Sequence, residues 1–289
     1  MNNFFDTLIG YLNDPYISKL IWKALAVGIP VALCASLLGV TLVLKRYSMI
    51  GDGLSHVGFG ALAIATALNM GTQNSYGLNT IFITLPIVII AAFFLLRMSH
   101  NSKVKGDAAI ALISTGAIAI GYIIYNLSEN GEPADVCSSL FGKSTIIYID
   151  DLVVPIAIGL AVAVLTLYFL SYSKIFSITF DEDFAYATGV KVKRYNMLIA
   201  LLTAVTIVLG MQLVGAVMIS GLVVFPTVTA MRISKSFKGV VIFSGIISVI
   251  SFVLGFIIAA VYSIPVGPSV IAINLIAYIA IWLVTKIRG

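Results

Sequence analysis

Long apolar runs separated by short polar breaks organise this chain, and the runs are too continuous for the amphipathic elements of a water-soluble domain. They predict membrane-spanning helices at about 18–44, 49–69, 79–97, 107–126, 152–172, 195–211, 215–231, 239–262 and 268–287. The count is about nine, with eight or ten left open by two ambiguous breaks. One is the tight polar step Lys45-Arg46-Tyr47-Ser48. The other is Gly210-Met211-Gln212-Leu213-Val214-Gly215, inside a stretch from Tyr195 to Met231 without any charged residue. The longest polar connections, about 127–151 and 173–194, leave no room for a soluble domain. The predicted fold is an all-α polytopic membrane protein, with residues 1–289 forming one transmembrane domain.

Composition agrees with that reading. Hydrophobic residues make up 60% of the chain and charged residues 10%, with a mean hydropathy of +1.10. Soluble domains carry about 25% charged residues. Position 6 is Asp and no basic segment precedes the first apolar run, so a cleaved leader is not expected. The two cysteines, Cys34 in an apolar run and Cys137 in a loop, have no CxxC partner, which disfavours a disulfide framework or a thiolate metal site.

Charge then orients the spans. Cytoplasmic loops accumulate Lys and Arg. With a cytoplasmic C-terminus, alternating loops place all but Lys19, Lys23 and Lys143 of the 17 basic residues on the inner side. The acidic loop with Glu129, Glu132 and Asp135 falls outside, together with the N-terminus if the span number is odd. The net charge of +5 therefore reflects membrane topology and requires no nucleic acid. The chain has no GxxxxGK[ST] phosphate loop and no HExxH, so an ATP motor would have to be a separate subunit.

Asp52 and His56, within Met49-Ile50-Gly51-Asp52-Gly53-Leu54-Ser55-His56, are the only acid–imidazole pair inside an apolar stretch. Four residues apart on a helix, they share one face. Ionisable groups in lipid are costly enough to mark function by default, here metal or proton handling. The plainer reading is a hydrogen-bonded pair joining helices. Carboxylate and neutral imidazole suit Zn²⁺, Mn²⁺ or Fe²⁺, whereas thiolate and thioether ligands would favour Cu(I). Two side chains cannot close a tetrahedral site; a second copy across a two-fold axis, water or another chain would complete it. Gly51, Gly53, Gly58 and Gly60 predict close helix packing around the pair. A second candidate is the polar segment from Asp181, Glu182 and Asp183 through Ala185 to Gly189, which predicts a short helix opened by acids and closed by a left-handed glycine. It is either a solvated connection or a docking helix for a soluble partner.

These segments resemble the permease subunits of the ATP-binding-cassette importers for zinc, manganese and iron. Arg46-Tyr47-Ser48-Met49-Ile50-Gly51-Asp52-Gly53-Leu54-Ser55-His56 is similar to the family's RR-x-S-L-x-x-D-x-x-S-H segment. Asp181-Glu182-Asp183-Phe184-Ala185 with Gly189-Val190 is similar to its coupling-helix pattern, and Val214-Gly215 through Pro226 to its VG…P run. The resemblance implies a type II importer-like fold in a prokaryotic cell membrane, with metal at Asp52 and His56 and coupling through Asp181, Glu182, Asp183, Ala185 and Gly189. It implies a second permease copy, a cytoplasmic ATP-binding subunit and an extracellular metal-binding lipoprotein. Zn²⁺ or Mn²⁺, with Fe²⁺ as a further candidate, is cargo, and no permanently bound cofactor is implied. Gln212, Ser220 and Thr227 near the sixth and seventh spans read as helix-packing contacts more than ligands. The competing readings are a proton-coupled secondary metal transporter, which would need no ATPase, and an intramembrane hydrolase, for which the buried acids are too few.

Overall fold

The computed structural model describes residues 4–68, 78–101, 106–127, 151 and 153–288. Among them there is no strand. The helices, in chain order, are α1 (Phe4–Asn13), α2 (Pro15–Leu44), α3 (Ser48–Leu68), α4 (Leu78–Asn101), α5 (Gly106–Leu127) and α6 (Val153–Leu170). They continue with α7 (Tyr172–Phe180), α8 (Glu182–Ala187), α9 (Val192–Val214), α10 (Ala216–Ile233), α11 (Phe237–Tyr262) and α12 (Val266–Arg288). The connections holding Lys103, Lys105, Glu129, Glu132, Asp135, Cys137 and Lys143 lie outside the described residues.

Each of the nine expected spans coincides with a long helix. Six of the described helices are long and apolar enough to cross a membrane, and two more contain the shorter apolar stretches Thr80–Leu95 and Met218–Ile233. The ninth is α3, whose glycines and charged pair dilute its hydropathy. It is suited to a position among other helices, and it packs against α2, α4, α5, α9 and α10. The short α1 was not anticipated from the apolar pattern. It ends at Asp14, whose carboxylate accepts from the Tyr16 and Ile17 amides (2.9 and 3.3 Å) and so caps α2.

Two kinds of contact set the packing. Where backbones approach, glycine is required: a Cβ at Gly60 would overlap the Ala117 carbonyl on α5, and one at Gly39 the Val223 carbonyl on α10. Where they do not, hydroxyls join the helices. Ser248 on α11 donates to the Ala32 carbonyl at 2.9 Å, while Thr227 on α10 lies 3.1 Å from the Val223 carbonyl, 3.4 Å from that of Ser36 and 3.3 Å from the Ser244 hydroxyl. Thr227 is therefore a packing contact, and Ser220 is likewise engaged within the fold.

The ambiguous break in the charge-free stretch is a single residue. Gly215, at φ 98° and ψ 154°, separates α9 from α10, in a region of backbone space open only to glycine. Gly210 then faces Ile219 across the reversal, so the two spans turn back on each other without a polar loop.

Candidate functional site

The approach to α3 is a reversal built from hydrogen bonds. Lys45 caps α2, the Arg46 amide donates to the Val43 carbonyl (3.0 Å) and the Tyr47 amide to that of Leu42 (2.7 Å). This is a Schellman motif, in which the left-handed position usually belongs to glycine. Here Arg46 occupies it, at φ 60°. Such strain persists only where surrounding contacts hold it.

Asp52 and His56 follow on the first half of α3, roughly 6 and 12 Å from its start at 1.5 Å per residue. Their closest approach, His56 Nε2 to Asp52 Oδ2, is 3.6 Å. That is beyond a normal hydrogen bond. The side chains are 26% (His56) and 46% (Asp52) exposed, so the pair opens to one side of the packed chain. The buried His56 Nδ1 has no hydrogen-bond partner among the described residues. Ser55, by contrast, is fully buried and donates back to the Gly51 carbonyl at 2.8 Å, which removes it as a ready ligand. Gly51 faces Val223 of α10, Gly53 faces Ile110 of α5, and Gly58 faces Met211 of α9. The glycines thus bring neighbouring helices against α3 around the pair.

No group of three or more His, Cys, Asp and Glu residues gathers among the described residues. The described residues of one chain therefore offer an incomplete ligand set. What they do present is an acceptor carboxylate beside an imidazole with no hydrogen bond to another element among the described residues. Gln212 lies on α9, and its side chain is not among those described.

At the α2–α3 end lies the second candidate segment. Asp181 caps α8, accepting from the Phe184 amide at 2.9 Å, with Glu182 and Asp183 in the first turn. Gly189, at φ 84°, closes it in a left-handed conformation, with the Gly189 amide on the Tyr186 carbonyl and the Val190 amide on that of Ala185. Ala185 is fully buried and packs with Ile178 and Val190. Phe184 and Tyr186 project outward, exposed.

Two contacts tie this segment to the bundle, and neither was anticipated. Lys45 Nζ donates to Glu182 Oε1 and to Asn196 Oδ1, each at 2.7 Å, and Asn196 Nδ2 donates to Glu182 Oε1 at 3.2 Å. Burial pushes the Lys45 ammonium below the usual lysine range, against the opposing effect of the Glu182 carboxylate. On α7, Phe176 and Phe180 meet Phe237 at the start of α11 edge to face (ring centroids 5.2 and 5.9 Å). In sequence Lys45 reads as one more basic residue at a span end, and its partner Glu182 stands 137 positions away. No local pattern links them.

The fold and this site define a polytopic helical transport protein. The chain belongs to the ABC 3 transport family, whose model matches residues 18–285. It is 28% identical to the high-affinity zinc uptake system membrane protein ZnuB of Haemophilus influenzae, over 88% of this chain and 93% of that one. It is also 28% identical to the manganese transport system membrane protein MntC of Halalkalibacterium halodurans, over 93% and 86%. Among solved structures it resembles PsaBC from Streptococcus pneumoniae in complex with Fab, with a TM-score of 0.80 and 25% identity over 97% of this chain and 95% of that one.

Proposed function

We propose that this chain is the membrane-spanning subunit of an ATP-driven importer that carries zinc or manganese through a passage lined by Asp52 and His56. The observation that carries this reading is the loose pair itself: a 3.6 Å separation and a buried His56 Nδ1 that has no partner among the described residues, on a helix otherwise closed by packing. A group left unsatisfied at that cost is one a ligand can satisfy. The imidazole must be neutral and the carboxylate ionised to hold the ion. The remaining ligands come from a second copy of the chain, its pair facing the first across a two-fold axis, or from water.

ATP hydrolysis resides on a separate cytoplasmic subunit that docks on α8, where Phe184 and Tyr186 offer apolar contacts and Asp183 a charged one. The basic residues Lys45, Arg46, Lys191, Lys193, Arg194, Arg232, Lys235 and Lys238 stand in the connections and helix-terminal turns of this same end, in keeping with a cytoplasmic face and a cytoplasmic C-terminus. An extracellular metal-binding lipoprotein delivers the ion at the opposite end. Proteoliposomes holding permease and ATPase, supplied with loaded binding protein, test the assignment. Asp52→Asn and His56→Ala abolish uptake while the complex still assembles; normal accumulation by both variants rejects the site. Uptake by the chain alone under a proton gradient would instead make it a secondary transporter.

A further inference from the structure

We propose that Lys45, Glu182 and Asn196 are positioning residues that transmit motion of α8 to α3, and so set how much metal moves per ATP hydrolysed. The inference rests on the reading of α8 as the docking helix and adds the route by which its movement reaches the pair.

Geometry makes this link short and stiff. Glu182 stands in the first turn of α8, and Asn196 is on the first turns of α9. Lys45 is the capping residue of α2, one step before the turn that begins α3. The three side chains form a closed triangle, with Lys45 only 6% and Glu182 29% exposed. Charge-assisted bonds at low exposure resist lengthening more than exposed pairs do. Displacing Glu182 therefore pulls on Lys45. The next residue, Arg46, is held at φ 60°, a conformation costly for any side chain bearing Cβ, and Asp52 is the fifth residue of the helix that follows. A pull on Lys45 thus acts on a turn already strained, whose relaxation would rotate or shift the start of α3. The aromatic contact of Phe176 and Phe180 with Phe237 holds α7 to α11 and supplies a fixed point beside the moving link.

The test is the complete importer in proteoliposomes, with Zn²⁺ or Mn²⁺ uptake and ATP hydrolysis measured together. In Lys45→Met and in Glu182→Gln the metal moved per ATP hydrolysed falls about fivefold or more, in the range of coupling between distant sites. Lys45→Arg and the exchange of Lys45→Glu with Glu182→Lys recover part of that ratio. A wild-type ratio in both single variants overturns the proposal. So does a parallel loss of hydrolysis and uptake in every variant, Glu182→Gln included, since that pattern marks a stabilising contact alone. The docking reading is checked separately by ATPase capture: Phe184→Ala with Tyr186→Ala weakens binding of the ATPase subunit, and unchanged capture rejects docking on α8 whatever the ratio shows.

Discussion

Lys45 and Asp52 stand close together along this chain but belong to acid–base pairs built in opposite ways. Lys45 and Glu182 meet at 2.7 Å, share Asn196 as a third partner and are largely closed to solvent. Asp52 and His56 stand 3.6 Å apart, are partly open, and leave the His56 Nδ1 unpartnered among the described residues. The first pair comes from distant segments and fastens them. The second is local, one turn of one helix, and joins no other element among the described residues. A charge pair that serves structure satisfies its own donors and acceptors, because a buried polar atom without a partner costs about 1–3 kcal/mol. A pair that serves a passing ion has to keep them free.

That contrast can be broken most directly at the open pair. His56→Ala and Asp52→Asn are expected to reduce metal uptake by about a hundredfold or more, since even supporting residues of metal sites cost 10–100-fold. Thermal stability should change little, because neither side chain holds another element. A large fall in melting temperature would place the pair among the structural contacts. His56→Lys goes further by offering Asp52 a permanent cationic partner at the same i,i+4 spacing. It should leave the protein folded and abolish uptake; transport at the wild-type rate would show that an open pair is not needed.

The closed pair should behave in reverse. Lys45→Met removes one partner of a largely buried ion pair and is expected to destabilise the chain by about 2–3 kcal/mol, measured by denaturation in detergent. Glu182→Gln, which keeps an acceptor for Lys45, should cost less. The smallest effect is expected at Arg46. Arg46→Gly relieves a left-handed residue worth about 1 kcal/mol but loosens the unfolded chain, so stability should stay level or rise by up to about 1 kcal/mol. A clear loss would mean that the Arg46 side chain, and not only its backbone, holds the turn.

How much of this could be read in advance differs from residue to residue. Among the described residues, the nine long helices were legible because each fills a mostly apolar stretch between polar breaks, and α8 was legible because Asp181 and Gly189 are local start and stop signals. The Gly215 reversal was only half legible. A glycine at positive φ turns the chain without a polar loop, so the usual mark of a boundary is missing. α1 was overlooked because a ten-residue helix is too short to stand out beside the spans.

Asp52 and His56 could be singled out from sequence, since an ionisable pair in an apolar stretch is rare and its spacing places both on one face. Their looseness could not, because hydrogen-bond distance depends on how α3 is held by its five neighbours. Lys45, Glu182 and Asn196 show the same limit more sharply. Residue types and local spacing determined the class of protein, the approximate placing of its long helices, its short capped helix and its charged pair, all of which arise from interactions within a few turns of chain. Which charges close on each other and which stay open was decided by tertiary packing, because that alone brings residues 137 positions apart within 2.7 Å while leaving a pair four positions apart unjoined.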